Sequence, residues 1–426
     1  MRWLRRYAVV TYPFACVPFL FLYFAENGIE PGQYGEILTA YYATMFVAEV
    51  PTGMLADRIG AGRMLVMGPL MLALGFGTML LQPDYAGFLT GEILLGLGHS
   101  ILSGPPTVAL YETLRASGTE TTYLREEARM HALRLYGTGT AFLLGGLLVR
   151  FGDADGQAFA LAIAATCGLC VLAAAFASRL QPLAGLPERR AHRDNAAGLT
   201  AKPKPRLLDG AARELRRPGV LWLLGYWLVL FTLLRFPFHD YQPYLDAAGQ
   251  FEPLFADAIW VGVLFASLSL AAAPFSSKVP ALVARFGRRA LFWAMPLVMC
   301  ASLLVMATTI SYARAETATG SSAAAALCWL GVAMFFVQQI PFALHWSLVH
   351  EFVNHRIGSA QRTTVLSVLS LSARAVYALA NVLLFRLQDE HGIPTALATA
   401  ALCGAALAAL VMLLRPKGLL RGGRAI

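Results

Sequence analysis

Several ionisable side chains stand inside long apolar stretches of this sequence, where burial would give them chemistry. Arg374 lies about twelve residues from either end of one apolar block, roughly 18 Å of helix on each side. Glu92 and His99 share another block, and their spacing of seven residues places them on one helical face. A charge at the centre of a bilayer costs at least about 2.5 kcal/mol, so one that is kept there normally has a partner or a function.

Each of these residues has two interpretations. Arg374 binds substrate or takes part in ion coupling, or it forms a structural ion pair. Glu92 carries a proton, or it joins two helices through a salt bridge. His99 hydrogen-bonds a substrate, or it packs as a satisfied side chain. Arg235, near the end of another block, attracts an anion or extends to the membrane interface.

The histidine-rich run from His345 to His355 does not predict a metal site. A zinc-binding pair on a helix needs histidines four residues apart, about 40° around the axis. His345 and His350 are five residues apart and lie about 140° apart. The sequence also contains no glycine-rich nucleotide-binding loop of the P-loop type. We therefore expect neither a metal ion nor another cofactor.

Membrane-spanning helices must hold these side chains. Of the 426 residues, 57% are hydrophobic and 14% are charged, whereas a soluble domain has about a quarter charged. The apolar blocks are long enough to cross a hydrocarbon core of about 30 Å as helices. In lipid the backbone must satisfy its own hydrogen bonds, and the blocks lack the alternation of barrel strands. The composition therefore predicts an all-α membrane protein.

Twelve apolar blocks form two groups of six, separated by the longest polar stretch. This division predicts an N-terminal six-helix bundle at 1–178, a cytoplasmic basic linker at 179–217, and a C-terminal six-helix bundle with a short cytoplasmic tail at 218–426. The predicted spans are roughly 7–26, 34–56, 64–81, 86–112, 132–149, 157–178, 218–236, 255–279, 290–310, 323–348, 363–386 and 394–414.

The distribution of positive charge gives the orientation. Of the 34 Lys and Arg residues, 29 fall in the loops and tails on one side of this map. Such residues accumulate on the cytoplasmic side, so we expect both termini in the cytoplasm of a bacterium and a multi-pass chain in its inner (plasma) membrane. Because the net charge of +9 lies beside the lipid surface, it predicts contact with the lipid bilayer and no nucleic-acid partner. We expect a monomer.

The loop between the second and third blocks carries a family motif. Residues 53–63 read GMLADRIGAGR, which resembles the signature G-x-L-A-D-R-x-G-R-[RK] of the major facilitator superfamily (MFS). Ala61 and Gly62 depart from that signature. The resemblance implies a cytoplasmic gate that latches the two halves, with a close helix approach at the first glycine and a tight turn at the third. Its residues are Gly53, Asp57, Arg58, Gly60 and Arg63.

A reduced copy of the motif stands in the second half. Arg285, Phe286 and Gly287 match the Arg-Ile-Gly of the first copy, Arg288 follows, and Ala284 replaces the acid. At the same offset, a Pro-Leu pair occurs in both halves. Parallel repeats of this kind are typical of the MFS fold, which implies twelve transmembrane helices in two pseudo-symmetric six-helix bundles.

The resemblance also implies which residues face the solute. In MFS proteins helices one, four, seven and ten line a central cavity. Polar groups on these helices, together with aromatic walls, are then expected to contact substrate. They are His99, Gln338, Gln339 and His345, with Tyr12, Tyr23, Tyr226 and Trp227 as the walls.

A partial pattern in the fifth block bears on direction. Residues 137–146 keep the outer glycines of the G-x-x-x-G-P-x-x-G-G pattern of proton-driven exporters, but Ala141 and Phe142 replace its Gly-Pro. These glycines therefore indicate antiport or simple helix packing. Glu92, in turn, stands where many exporters carry arginine in the fourth helix, which sets this chain apart from drug exporters.

The expected function is secondary active transport of a small organic solute by alternating access, with protons or another ion as the coupling partner. Proton-coupled efflux, an antiport, is the first alternative, and a proton-coupled uptake symporter of the same fold is the second. A membrane-embedded enzyme or receptor is the third. We expect no enzymatic activity, because the sequence offers no nucleophile–base set near either surface.

Overall fold

A computed structural model describes residues 1–12, 14–119, 122–152, 158–180, 216–317, 323–356, 359–417 and 419. Within these residues the chain is helical and has no β-strand. Nine of the described helices are long and apolar enough to cross a membrane, and Val17–Glu26 and Ala258–Ala271 are shorter apolar helices. The predicted linker 179–217 lies almost wholly outside the described residues.

The helices form two compact units, and the first contains the elements up to residue 178 together with the start of α10. Apolar blocks form its helices and polar or glycine residues end them. These helices are α1 Arg2–Val10, α2 Leu20–Glu26, α3 Pro31–Ile59, α4 Ala61–Leu81, α5 Tyr85–Ile101, α6 Pro105–Ala116, α7 Tyr123–Gly152 and α8 Ala158–Ser178. A short 3₁₀ turn, Val17–Phe19, precedes α2.

The second unit contains the helices from α9 onward except the start of α10. Its elements are α9 Pro218–Gly249, α10 Ala258–Ser277, α11 Val279–Thr317, α12 Ala323–Arg356, α13 Ser359–His391 and α14 Ile393–Leu413. The fourteen α-helices of the described chain cover the twelve predicted spans. The first span is broken into α1 and α2, and the fourth into α5 and α6.

Each unit repeats the same packing scheme around its third span. In the first unit α4 packs against α5 and α8, and in the second unit α11 packs against α12 and α14. The α4–α5 contact is close because glycines face each other. A Cβ atom on Gly75 would lie 2.8 Å from the carbonyl oxygen of Gly91. Close backbone approach at small residues is how helices associate in lipid, where the hydrophobic effect between helices is absent.

A carboxylate outside the membrane begins α5. Asp84 is the N-cap, and its side chain accepts a hydrogen bond from the backbone N–H of Gly87 at 2.8 Å. This bond, with a second from the amide of Gln82, lowers the pKa of the Asp84 carboxyl. The cap satisfies one of the free N–H groups of the first turn and places a negative charge at the positive end of the helix dipole.

Helix α9 is longer than the sequence predicts. We expect the seventh span to end at residue 236, because Pro237 and Pro243 remove backbone donors and disfavour a continuing helix. In the structure the helix continues through both prolines to Gly249. Prolines are tolerated in membrane helices where neighbouring elements satisfy the freed backbone groups. As a result, Asp240 and Tyr241 lie within the helix and not in a loop.

Candidate functional site

Glu92 is buried in the first unit. It lies on α5, and only 3% of its surface is exposed. Among the residues that the structure describes, none forms a hydrogen bond or an ion pair with it. The salt-bridge interpretation therefore finds no partner in the described part of the chain. An acid in such a place can be neutralised by a proton, which removes the cost of burying its charge.

His99 stands two turns further along α5 inside an aromatic cluster. Its ring stacks on Tyr12, with ring centroids 5.3 Å apart and an angle of 13° between the planes. Phe14 and Tyr41 meet the imidazole edge-on, at 5.7 and 5.5 Å between centroids. The Nδ1 atom lies 2.9 Å from the carbonyl oxygen of Leu95. The sequence analysis names both residues as candidates to face the solute but does not predict that their rings stack.

A break in the first span produces this contact. Helix α1 ends at Val10, and Tyr12 has φ = 66°, the left-handed region that costs a non-glycine residue roughly 1–2 kcal/mol. The chain becomes helical again only at Val17. Residues held in such conformations cluster at binding and switch sites, because the surrounding structure must hold them.

In the second unit, the two predicted glutamines belong to a buried network. Gln338 accepts a hydrogen bond from the Tyr241 hydroxyl at 2.7 Å and donates one to Ser302 Oγ at 2.9 Å. Gln339 donates to the backbone carbonyl of Phe335 at 3.2 Å and to the Tyr241 hydroxyl at 3.4 Å. Both glutamines are buried, so they hold Tyr241 in place between α9, α11 and α12.

His345 repeats in this unit the arrangement found at His99. Its ring stacks on Trp227 of α9, with centroids 5.5 Å apart and an angle of 19°. Its Nδ1 atom lies 2.6 Å from the carbonyl oxygen of Phe342. Two other predicted wall residues differ from expectation: Tyr23 and Tyr226 are buried, with hydroxyls that donate to backbone carbonyls. Trp227 is buried as well, so Tyr12 is the one predicted wall residue that is partly exposed.

Asp240 is a candidate site residue that the sequence analysis does not name. The side chain is fully buried, at 0% exposure, and neither carboxylate oxygen has a hydrogen-bond partner in the described chain. Its neighbours in sequence, His239 and Tyr241, are aromatic, and Tyr241 anchors the glutamine network. The two prolines around it led to the expectation of a loop. The continued apolar and aromatic residues up to Leu245 were the signal that the helix goes on.

The two predicted arginines lie on different helices of the second unit. Arg235 is on α9, with its guanidinium 5.4 Å from the centroid of the Phe231 ring, a cation–π contact. Arg374 lies midway along α13 and is partly exposed. Roles in binding anions or substrate stay predictions for both.

The gate motif forms the turn between α3 and α4. Gly60 has φ = 85°, the conformation that favours glycine, and it joins the two helices as the sequence predicts. Arg58 and Arg63 are exposed, and the side chain of Asp57 lies outside the described part. The structure does not show the expected close approach at Gly53, because a Cβ atom there would have no neighbour within 4 Å among the described residues.

The second copy of the motif adopts the same turn. Gly287 has φ = 77° and interrupts the helical geometry of α11. The Arg285 guanidinium lies 5.3 Å from the centroid of the Phe286 ring, and Arg288 is partly exposed. The matching glycine conformations support the internal repeat that the sequence predicts.

The glycines of the fifth block pack against neighbouring backbone. A Cβ atom on Gly137 would overlap the carbonyl oxygen of Val9, and one on Gly145 would overlap that of Ala15. On Gly146 it would lie 2.5 Å from the carbonyl oxygen of Ala258. This close packing agrees with the helix-packing interpretation of these glycines, and a role in antiport stays a prediction.

Comparisons with known proteins agree with this architecture. The family model described as Major Facilitator Superfamily matches residues 7–381. A solved structure of the nucleoside transporter NupG has a TM-score of 0.73 at 12% identity, covering 97% of this chain and 98% of that one. A peptide transporter POT in complex with sulfate has a TM-score of 0.66 at 14% identity, covering 99% and 94%. A search of curated sequences finds no match.

These likenesses extend over nearly the whole chain and include both halves. At such low identity the solved structures show the fold, and the family model shows the membership. The protein is therefore a multi-pass transporter and not an enzyme, with twelve transmembrane helices in two pseudo-symmetric bundles. This chain belongs to the Major Facilitator Superfamily.

Proposed function

We propose that the chain couples proton movement to the export of a small organic solute across the inner membrane, with both termini in the cytoplasm. Transport proceeds by alternating access, in which the two bundles open a solute site to one side and then to the other. Both units contribute the chemistry that this requires.

The observation that carries the proposal is a buried carboxylate in each unit. Glu92 is 3% exposed and Asp240 is 0% exposed, and neither has a hydrogen-bond or ion-pair partner in the described chain. An unpaired buried charge is too costly to keep for structure alone. A proton removes that charge, and a conformational change that hydrates the group releases the proton again. The two acids are therefore suited to carry protons between the two sides.

The aromatic side chains suit an organic solute. Tyr12 stacks on His99 in one unit, and Trp227 stacks on His345 in the other. Such pairs present flat apolar faces beside hydrogen-bonding edges. The solved relatives are a nucleoside transporter and a peptide transporter, so nucleosides and short peptides belong in the first set of solutes to test.

Export is the proposed direction because the glycine pattern of α7 resembles that of proton-driven exporters. Uptake by symport is the second candidate. It is favoured by the close packing of Gly137 against the backbone of Val9 and of Gly145 against that of Ala15, which accounts for both glycines without antiport.

The test uses purified protein in proteoliposomes with an imposed pH gradient and radiolabelled nucleosides, dipeptides and amphipathic amines. We expect accumulation against the solute gradient only when protons move down theirs. Glu92→Gln and Asp240→Asn should lose this accumulation but keep exchange of solute between equal concentrations. Asp246→Asn, an exposed acid on the same helix as Asp240, is the matched control and should behave as wild type.

The direction of the gradient that drives accumulation decides between export and uptake. If Glu92→Gln and Asp240→Asn both accumulate solute at the wild-type level, the two acids do not take part in proton coupling. Arg374→Ala in the same assay tests the substrate role of that residue, and loss of transport in a folded variant is the expected outcome.

A further inference from the structure

A small cavity with several polar side chains in its lining lies within the first unit, and neither His99 nor Glu92 lines it. It has a volume of about 40 Å³, is lined by residues of α1, α6 and α7 and by Thr11 at the end of α1, and is partly open. A water molecule needs about 10–15 Å³ by this measure, so the space takes about three waters, or the head of a small polar group. Its polar lining consists of Tyr7, Thr11, Thr107, Glu127 and Arg134.

Two hydrogen-bond donors in this lining have no partner. The Tyr7 side chain is only 2% exposed, and its hydroxyl forms no hydrogen bond in the described chain. The Nε atom of Arg134 is likewise buried and without an acceptor. Buried polar atoms are paired in the great majority of cases, and an arginine keeps its charge under all ordinary conditions. These two donors therefore lack an acceptor, and a negatively charged acceptor suits them best.

The acids nearby do not supply that acceptor. Glu126 is paired with Arg5 on α1, at 2.9 Å between carboxylate and guanidinium. Glu127 lines the same cavity but precedes Arg134 by seven residues, about 10 Å along the helix. No ion pair to Arg134 occurs among the residues described. The cavity thus has a positive end with free donors and a negative end two turns away.

We propose that this cavity binds an oxyanion, a carboxylate or a phosphate group, with Arg134 Nε and the Tyr7 hydroxyl as donors. The volume fits the anionic group alone, so the remainder of the molecule extends out of the cavity. The group belongs to the transported solute, an assignment that rests on the proposed function, or it is the phosphate of a lipid headgroup. Both sources offer the same chemistry to the two donors.

The test measures binding directly on the purified full chain in detergent. Sodium acetate and sodium phosphate are titrated at constant ionic strength against sodium chloride, and the thermal unfolding midpoint is followed. Arg134→Gln should weaken binding at least about ten-fold, since hydrogen bonds to charged groups contribute that much or more. Tyr7→Phe should weaken it about three- to ten-fold. Arg150→Gln, at the other end of α7, is the matched control and should leave the affinity unchanged.

Glu127→Gln is the most discriminating variant, because an oxyanion site predicts a gain and not a loss of anion affinity. Removing a negative charge from the lining should strengthen oxyanion binding, by about two- to five-fold across a distance of about 10 Å. Arg134→Lys keeps the positive charge but removes the Nε donor, and it should retain part of the affinity. This second variant preserves the test if Arg134→Gln fails to fold.

Three outcomes would overturn the proposed site. Neither anion raises the unfolding midpoint, or Arg134→Gln leaves the anion affinity unchanged, or Glu127→Gln weakens binding, which would indicate that the cavity binds a cation. Mixed micelles containing phosphatidylglycerol distinguish the two sources. If this lipid displaces soluble phosphate from the wild-type protein but not from Arg134→Gln, the cavity binds a lipid headgroup. If the lipid does not displace phosphate, the cavity binds the anionic group of a solute. Because these measurements need no transport, anion binding without solute accumulation would contradict the proposed function and leave the oxyanion site standing.

Discussion

Replacement of Asp240 by Asn should make the protein more stable and abolish proton-driven transport. The carboxylate is fully buried, and both oxygens lack a partner in the described chain. An unpaired ion in a protein interior costs several kcal/mol, and the wild-type chain bears this cost either as buried charge or by taking a proton from neutral solution. An unpaired amide of the same shape costs about 1–3 kcal/mol. The free energy of unfolding should therefore rise on the order of 2 kcal/mol.

The assay is reversible unfolding by SDS in mixed micelles at pH 7.5, paired with accumulation in proteoliposomes. Asp246→Asn, six residues along α9 and exposed, should change the free energy of unfolding by less than about 0.5 kcal/mol. A structural acid would give the opposite result, because its loss leaves a partner unsatisfied. If Asp240→Asn lowers the free energy of unfolding by more than about 1 kcal/mol, the carboxylate has a stabilising partner and the proton-carrying role is wrong.

Three further predictions concern the scaffold. Gly137→Ala should destabilise the fold by about 1–3 kcal/mol, because the added methyl group would overlap the carbonyl oxygen of Val9. Gly139→Ala is the control: a Cβ atom there has no described neighbour within 4 Å, so the free energy of unfolding should stay the same or rise slightly in the same assay. Gly60→Ala should cost about 1–2 kcal/mol through its positive φ and impair transport, measured by unfolding and by solute accumulation. The fold lowers the pKa of the Asp84 carboxyl, so the ionised side chain stabilises the protein above about pH 3.9 and this stabilisation is lost as the pH falls through the pKa of the folded state. In a pH series of thermal unfolding, the midpoints of wild type and Asp84→Ala should therefore converge in acid.

Much of the fold follows from the sequence because membrane insertion depends on summed hydrophobicity. The apolar blocks and the bias of Lys and Arg predict twelve spans, and the helices cover all of them. Local backbone geometry was harder to predict. Nothing in the residues around Tyr12 other than Pro13 indicates that the first span breaks there. In α9, by contrast, Pro237 and Pro243 indicate an end that tertiary packing overrides.

The candidate site was predictable only in part, for a related reason. Periodicity placed Glu92 and His99 on one face of a helix, but it does not reveal which polar groups are satisfied. Gln338 proves to be hydrogen-bonded inside its unit, and Asp240 proves to be buried without a partner. Whether a buried polar group has a hydrogen-bond partner depends on atoms from distant parts of the chain, as when Gln338 donates a hydrogen bond to Ser302. Only the three-dimensional structure brings those atoms together.

The two halves share one feature of the candidate site and differ in another. In each unit a histidine of the fourth span stacks on an aromatic ring of the first, His99 on Tyr12 and His345 on Trp227. The buried acids do not obey this repeat, because Glu92 is on the fourth span of its half and Asp240 on the first of the other. A feature kept in both repeats suits a shared task such as holding a flat solute face. An acid that is present at only one of two equivalent positions can change charge in one half without an equivalent change in the other, whereas the direction of transport is set by the gradients of solute and proton.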